Sequence, residues 1–381
     1  MSFINLPQIT ISQLPDVIKS MTADNSALLV IGAPGVGKTE VSLQTLAEIG
    51  RIPHVFIAAS MEPTDIRGVP YTDGESADFV SHKFFSSIGE ESAVLFDEFN
   101  RNPITMQNTF LDVIQERRAG SLNLPKDLLF ICLANPSTAT NMVSPLSAPL
   151  VNRCIVLRVV ADVDGWLKWA EHEDNNIDPY VCAFIKKFGL PMLSPLDAET
   201  TGESEDEEPD WDAIPIEASP RAWKSVSRTK GYGLPDIVQN AMFCGTVGTS
   251  IAAEFIQFLA VGEELPDVAD LFNGRVAVPN RADLQYIASR LLVAHFKDLA
   301  SKGAEKKQKN ACVRLAKTLS NDNLGWVPET VAFMVNMLSL PNNQPLRNLF
   351  HQLAHFEQNK DILAWMETDG VELSLEVANE K

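Results

Sequence analysis

Residues 32–39, "GAPGVGKT", combine glycines with a lysine and a threonine at fixed spacing. In the pattern G-x-x-x-x-G-K-T, the glycines let backbone N–H groups turn inward around a phosphate. The lysine reaches the β- and γ-phosphates of a nucleotide, and the hydroxyl ligates Mg²⁺. The stretch therefore predicts a phosphate-binding loop, the P-loop, for a nucleoside triphosphate. The residues predicted to contact the nucleotide are Gly32, Ala33, Pro34, Gly35, Val36, Gly37, Lys38, Thr39 and Glu40.

Two adjacent carboxylates, Asp97 and Glu98, end a later apolar run, "AVLFDE". An aspartate at such a strand end can hold the Mg²⁺ shell together with Thr39, and a glutamate beside it can polarise a water for attack on the γ-phosphate. A transfer kinase has no use for an activated water. The pair therefore favours hydrolysis, with ATP and Mg²⁺ as the implied substrate and metal.

Further polar side chains fall at suggestive places but are ambiguous by themselves. Asn135 ends the apolar run "LLFICLAN", where it could orient the water, although Asn-Pro is also an ordinary turn. Arg153 or Arg158 could be supplied from a neighbouring subunit to neutralise transition-state charge, although either could equally form a surface ion pair. Arg221 lies in "SPRAW", where the serine and proline explain a helix start without any function.

The elements that must position these residues alternate along residues 1–160. Short apolar runs, nearly continuous in hydrophobicity, are typical of strands buried on both faces. Helical patterns at 38–49 and 103–117 lie between them. The alternation predicts an α/β fold, a parallel sheet with helices on both faces. The predicted strands are 27–32, 54–59, 93–98, 128–134 and 154–160.

The strand pattern stops after about residue 160, and short helical patterns follow. We predict a helical lid over 161–261 and a further helical C-terminal extension over 262–381. Residues 197–212 hold nine acidic residues and no basic one, which predicts an acidic loop at about 190–215.

The order of these motifs resembles that of the AAA+ ATPase superfamily, and within it the MoxR-like group. "GAPGVGKT" resembles the Walker A motif, "LFDEFNRNPITMQNTFLDVIQERRAG" the Walker B strand and following helix, and "FICLANP" the sensor 1 strand. "VNRC" is similar to the arginine-finger region, "SPRAW" to sensor 2, and "EPTDIRG" to the start of an insert in helix 2. The resemblance covers about residues 25–245 and implies an AAA+ αβα domain followed by a helical lid.

The resemblance also implies roles for the residues. Asp97 would order the metal and Glu98 would activate water, while Asn135 would be sensor 1. Arg221 would act as sensor 2 within its own subunit, and Arg153 as a finger in the neighbouring one. The family pattern at the finger reads Asp-Arg-Phe, whereas this chain has Asn-Arg-Cys at 152–154, so Arg158 stays open as the alternative.

The resemblance further implies a homo-oligomeric ring, a hexamer, that remodels, activates or loads a protein client such as a von Willebrand factor A domain protein. Residues 62–84 and 118–126 are predicted hairpins that would grip the client. One alternative is a nucleic-acid motor, which the net charge of -19 disfavours and which stimulation by DNA or RNA would reveal. The other is a nucleotide-gated scaffold with little turnover, which a steady-state rate would detect.

Composition argues against a membrane span, a secretory signal and a zinc site. No run of 18 apolar residues suggests a membrane span, and the first residues do not form a secretory signal. Five scattered cysteines predict reduced thiols and a cytoplasmic protein. His351 and His355 have the spacing of zinc ligands, but the sequence offers neither the usual glutamate between them nor a third ligand.

Overall fold

The computed structural model describes residues 6–21, 27–72, 74–136, 144–170, 172, 175, 177–198, 216–262, 264–301, 311, 314–315, 318, 324–327, 330 and 334. Residues 199–215, which include most of the predicted acidic loop, lie outside this set. His351, His355 and the end of the predicted extension lie outside it too.

Strands are numbered in chain order. They are β1 Gln8–Thr10, β2 Ala27–Gly32, β3 Ile52–Ile57, β4 Val69–Thr72, β5 Ala77–Val80, β6 Ser92–Asp97, β7 Arg118–Ala119, β8 Leu122–Asn123, β9 Leu129–Ala134 and β10 Cys154–Val160. The run predicted at 54–59 is a strand at 52–57 followed by a turn of 3₁₀ helix, and β1 was not predicted.

Helices are numbered in the same way. They are α1 Leu14–Ser20, α2 Lys38–Glu48, α3 Pro63–Arg67, α4 Ile104–Glu116, α5 Ala148–Val151, α6 Val163–Ala170, α7 Pro179–Phe188, α8 Leu190–Leu193, α9 Pro195–Ala198, α10 Pro220–Lys230, α11 Asp236–Val247, α12 Thr249–Gly262, α13 Val268–Phe272 and α14 Ala282–Ser301. No strand follows β10 in the part of the chain that the structure describes.

The main sheet has six strands among the described residues, in the order β1-β10-β2-β9-β6-β3, and every pairing is parallel. This confirms the predicted α/β fold with a parallel sheet. Strand β9 lies between β2 and β6. The carboxyl ends of parallel strands share one edge, so this order brings the P-loop, Asn135 and Asp97 to that edge.

Aromatic packing fixes α4 to the sheet beside this edge. The ring of Phe96 on β6 meets Phe110 on α4 edge-on at 4.7 Å and stacks on Phe130 of β9 at 6.2 Å. Phe99, in the turn after β6, lies 5.0 Å from Phe110. All four side chains are fully buried. Such pairs add about 0.5–1.5 kcal/mol each beyond their area burial, so the turn after β6 has little freedom.

Both predicted hairpins are present. Strands β4 and β5 pair antiparallel, with Val69 opposite Val80, and β7 and β8 do the same. The two hairpins are joined: Ser81 Oγ donates to the Ala119 carbonyl at 2.5 Å, and Ser121 N donates to the Phe79 carbonyl at 3.2 Å. Because β7 follows α4 directly, these hairpins are connected to the Walker B turn through one helix.

Contacts divide the chain into two compact units, one of residues 1–166 with 190–223 and the other of 167–189 with residues from 224 onward. Segment 190–223, which the sequence assigns to the lid and its acidic loop, thus groups with the first unit, and residues 190–198 form α8 and α9 rather than loop. Hydrogen bonds tie this segment to the first unit, because Asp197 Oδ2 accepts from Ala161 N at 2.9 Å and the backbone N–H of Arg221 donates to the Gly35 carbonyl at 3.2 Å. The three-domain division by sequence remains a prediction.

All the regular secondary structure among the described residues of the second unit is helical. An aromatic cluster packs α7 against α12, with Phe184 edge-on to Phe255 at 5.2 Å and to Phe258 at 5.5 Å. Asp178 caps α7 by accepting from the backbone N–H of Tyr180, and its carboxylate pairs with Lys230 at 3.0 Å.

Candidate nucleotide site

Lys38, the first residue of α2, lies at the centre of the candidate site. Its ammonium donates to the carbonyls of Gly32 at 2.7 Å and Ala33 at 3.0 Å, and to Asn135 Oδ1 at 3.0 Å. The side chain is almost fully buried. The three oxygens orient the charge, and the first turn of α2 adds backbone N–H groups that have no intrahelical partner. This combination suits a polyphosphate.

Burial lowers the pKa of Lys38 to about 8. The carboxylates of Asp97 and Asp197 raise this pKa, and the positive charge of Arg221 lowers it further. The ionisable groups of Asp97, Asp197 and Arg221 are therefore close enough to Lys38 to interact with its charge. An anionic ligand would oppose the desolvation, because it favours the charged ammonium.

Thr39 and Asp97 meet directly across the two motifs. Thr39 Oγ1 donates to Asp97 Oδ2 at 2.8 Å, and Asp97 Oδ1 accepts from the backbone N–H of Glu98 at 2.8 Å. A hydroxyl and a carboxylate at one place are oxygen ligands of the kind that Mg²⁺ prefers. Thr39 and Asp97 thus fit the predicted metal role.

Glu98 lies on a strained turn. Its backbone is left-handed, with φ 54° and ψ 35°, a conformation that costs a non-glycine residue roughly 1–2 kcal/mol. Its carboxylate pairs with Arg101 at 3.1 Å and is about one-third exposed. The turn separates the Glu98 side chain from that of Asp97, so one carboxylate faces Thr39 while the other remains accessible.

Arg221 and the start of α10 contact the P-loop. The backbone N–H of Arg221 donates to the Gly35 carbonyl at 3.2 Å. Gly35 has φ +76°, and a Cβ there would lie 2.6 Å from Ser219 Oγ. Glycine is therefore required at this close approach, and the loop and the predicted sensor 2 segment belong to one site.

Arg153 lies away from these residues. It precedes β10, whose first residue, Cys154, pairs with Ala27 at the start of β2. The P-loop follows the far end of β2, about 16 Å along the strand at 3.3 Å per residue. In its own subunit Arg153 bonds to Gln115 and to the Pro149 carbonyl. Arg158 lies inside the sheet, in register with Ile31 on one side and Gln8 on the other.

Two residues at the site were not singled out from the sequence. Asn100 is fully buried, and its side chain bonds twice to the backbone of Asn135. Asp197 on α9 is buried, and its Oδ2 accepts from Ala161 N at 2.9 Å and Ser194 Oγ at 2.8 Å. Asp197 was hidden within an acidic stretch, and Asn100 stood within the quoted Walker B segment without a local pattern that set it apart.

Comparisons with known proteins match the part of the chain that holds most of this site. The family model described as the AAA domain (dynein-related subfamily) matches residues 27–154. Residues 27–154 are an AAA domain of the ATPase family. The predicted resemblance is thereby confirmed for this part of the chain, and an AAA domain implies nucleotide binding.

The AAA domain also has a curated relative. Chaperone MoxR1 of Mycobacterium tuberculosis is 30% identical over 118 residues, which are 29% of this chain and 29% of MoxR1. The chain thus matches less than a third of this relative's length, in keeping with the predicted MoxR-like group.

Solved structures similar to the chain have low TM-scores. NtrX from Brucella abortus in complex with ADP is 15% identical, with a TM-score of 0.37 and coverage of 90% of this chain and 68% of that one. The RuvB Holliday junction branch migration motor of Thermotoga maritima is 13% identical, with a TM-score of 0.33 and coverage of 79% and 86%. The fold assignment rests on the strand order given above.

Proposed function

We propose that this chain hydrolyses ATP with Mg²⁺ in an oligomeric ring and that the cycle remodels a protein client. The observation that carries the hydrolysis is the meeting of Lys38, Thr39, Asp97 and Asn135 at one sheet edge, with Glu98 beside them. Lys38 would bind the β- and γ-phosphates, Asn135 would orient the attacking water, and Glu98 would take its proton. Mg²⁺, held by Thr39 and Asp97, would supply charge neutralisation at the β- and γ-phosphate oxygens.

Lys38→Ala tests the nucleotide site. We expect the affinity for ATP to fall by roughly 10- to 100-fold, since a hydrogen bond to a charged group contributes about 1.5–3 kcal/mol. Titration with a fluorescent ATP analogue measures this affinity. Lys126→Ala, which removes the same charge from an exposed position of the same unit, should bind like the wild type. If Lys38→Ala bound and hydrolysed ATP normally, the site would be wrongly assigned.

Placement of Arg153 supports the ring. The residue lies at the opposite end of β10 from its own P-loop, at a distance that an arginine side chain does not span. Arg153 therefore suits a finger that enters a neighbouring copy's site, and this copy's site would be completed in the same way by another. The hexamer and the cytoplasmic location remain predictions from the resemblance and the cysteines. Among the described residues no helix is long and apolar enough to cross a membrane.

Exposed apolar side chains on the hairpin β4–β5 support a protein client. Val69, Tyr71, Phe79 and Val80 are each between 46% and 61% exposed, on both faces of the ribbon. An apolar, aromatic ribbon suits unfolded or extended polypeptide, whereas a nucleic-acid grip needs cations along the backbone path. A von Willebrand factor A domain protein is the client that the MoxR resemblance suggests.

Deletion of residues 71–78 should separate client handling from chemistry. We expect basal ATP hydrolysis to stay within about twofold of the wild type, since the described residues of this segment make no hydrogen bond to the nucleotide site. Stimulation by an unfolded model protein should be lost. Steady-state phosphate release measures both. Tyr232→Ala, which removes an exposed aromatic from the second unit, is the control. Loss of basal hydrolysis in the deletion would mean that the hairpin is a structural element. Stimulation by DNA or RNA instead of protein would favour a nucleic-acid motor.

A further inference from the structure

Asn100 joins the two halves of the candidate site through its side-chain amide. Its Nδ2 donates to the Asn135 carbonyl at 2.7 Å, and its Oδ1 accepts from the Asn135 N–H at 3.1 Å. One amide therefore holds both polar groups of a single residue's backbone, in the way that a neighbouring strand would. The side chain is fully buried, so water does not replace these bonds readily.

The residue that Asn100 holds contacts the P-loop lysine. Asn135 Oδ1 accepts from Lys38 Nζ at 3.0 Å. Asn100 itself lies two residues after Glu98, within the turn Phe99–Arg101, and its own carbonyl accepts from Ser144 N at 2.7 Å. Asn100 therefore connects the turn that carries the proposed base to the residue proposed to orient the water.

We propose that Asn100 is a positioning residue for ATP hydrolysis, which holds the Asn135 side chain at its place relative to Glu98. This inference rests on the proposed function. Hydrolysis requires the water, its orienting group and its base to be aligned, and a displacement of about 1 Å can cost roughly 100-fold in rate. Asn100 does not bond to Lys38 itself, and two of the three acceptors of Lys38 are P-loop carbonyls, so ATP binding should depend on Asn100 only weakly.

Asn100→Ala tests this inference. We expect kcat to fall by roughly 10- to 100-fold while the affinity for ATP changes by less than about threefold. Asn102→Ala is the matched control, because Asn102 is also a buried asparagine beside this turn but donates to the Phe99 carbonyl at 3.2 Å and does not bond to Asn135. A general effect of removing a buried amide would appear equally in both variants.

A double-mutant cycle with Asn135→Ala separates positioning from mere stability. If Asn100 acts through Asn135, the fold-decrease in kcat of the double variant should be much smaller than the product of the two single fold-decreases. Asn100→Asp is a second variant, which has the same shape and keeps the acceptor for the Asn135 N–H. Its kcat should lie between that of the wild type and that of Asn100→Ala. The inference would be overturned if Asn100→Ala kept the wild-type kcat, or if Asn102→Ala lost as much kcat as Asn100→Ala. It would also be overturned if the fold-decreases of the two single variants multiplied in the double variant. A wild-type chain without ATPase activity would instead overturn the proposed function.

Discussion

Replacement of Glu98 by glutamine should lower the rate of ATP hydrolysis by roughly 10²–10⁴-fold while ATP still binds with nearly wild-type affinity. The amide has the shape of the carboxylate and can still accept from Arg101, whose guanidinium lies 3.1 Å from the acid. It cannot take a proton from water. Lys38, Thr39 and Asp97, which carry the binding contacts, are unchanged.

The measurement pairs single-turnover hydrolysis with titration of a fluorescent ATP analogue. Glu116→Gln, which makes the same change at an exposed position at the end of α4, should hydrolyse like the wild type. With ATP bound and uncleaved, the Glu98 variant should also accumulate as an oligomer in analytical ultracentrifugation. Equal, very slow rates in wild type and Glu98→Gln would favour the nucleotide-gated scaffold, and a rapid rate in both would remove Glu98 from the proposed mechanism.

Much of the site was predictable because its chemistry is local in sequence. The P-loop and the Asp97–Glu98 pair are contiguous motifs, and each ends a buried strand, so the sequence determines their position at a sheet edge once the strands are parallel. The placement of Asn135 required more. That it lies between the other two motifs depends on the strand order β2-β9-β6, which periodicity alone does not specify.

What sequence could not predict depends on contacts between distant segments. The two bonds of Asn100 to Asn135 join residues 35 apart, and the single bond of Asp197 to Ala161 joins residues 36 apart. Nothing in the local pattern distinguishes such an asparagine from one that caps a helix or turns the chain. The short strand β1 was missed for a similar reason, since its three residues gain their order by pairing with β10.

The helical assignment after β10 was correct in kind and incomplete in grouping. Amphipathic periodicity identified the segments that form α6, α7, α10, α11 and α12. Composition then suggested one acidic loop across 190–215, whereas Leu193 and Asp197 are buried and order the beginning of that stretch. Charge content reports average solvation, and a buried carboxylate with two donors is an exception that composition does not detect.

Arg153→Ala should reduce ATP hydrolysis by roughly 10³-fold or more while leaving ATP binding intact, if the finger completes a neighbouring site. Its own P-loop lies about 16 Å further along the strand, so loss of Arg153 removes nothing from the site of its own subunit. Arg158→Ala is the comparison, because Arg158 lies within the sheet between β1 and β2 and is the alternative finger.

Mixing two inactive variants distinguishes action between subunits from action within one. At an ATP concentration that fills only unmodified sites, Lys38→Ala subunits stay largely empty but carry Arg153, whereas Arg153→Ala subunits hold ATP but lack the finger. Equal mixing in a head-to-tail ring should restore about a quarter of the sites, because each complete site needs one subunit of each kind in the right order. A Lys38→Ala/Arg153→Ala double variant should restore none when mixed with Arg153→Ala.

Full activity of Arg153→Ala alone, with Arg158→Ala inactive, would transfer the role to Arg158. Full activity of both variants in a monomer would mean that no arginine crosses between subunits, and the shared site that the strand geometry suggests would have to be abandoned.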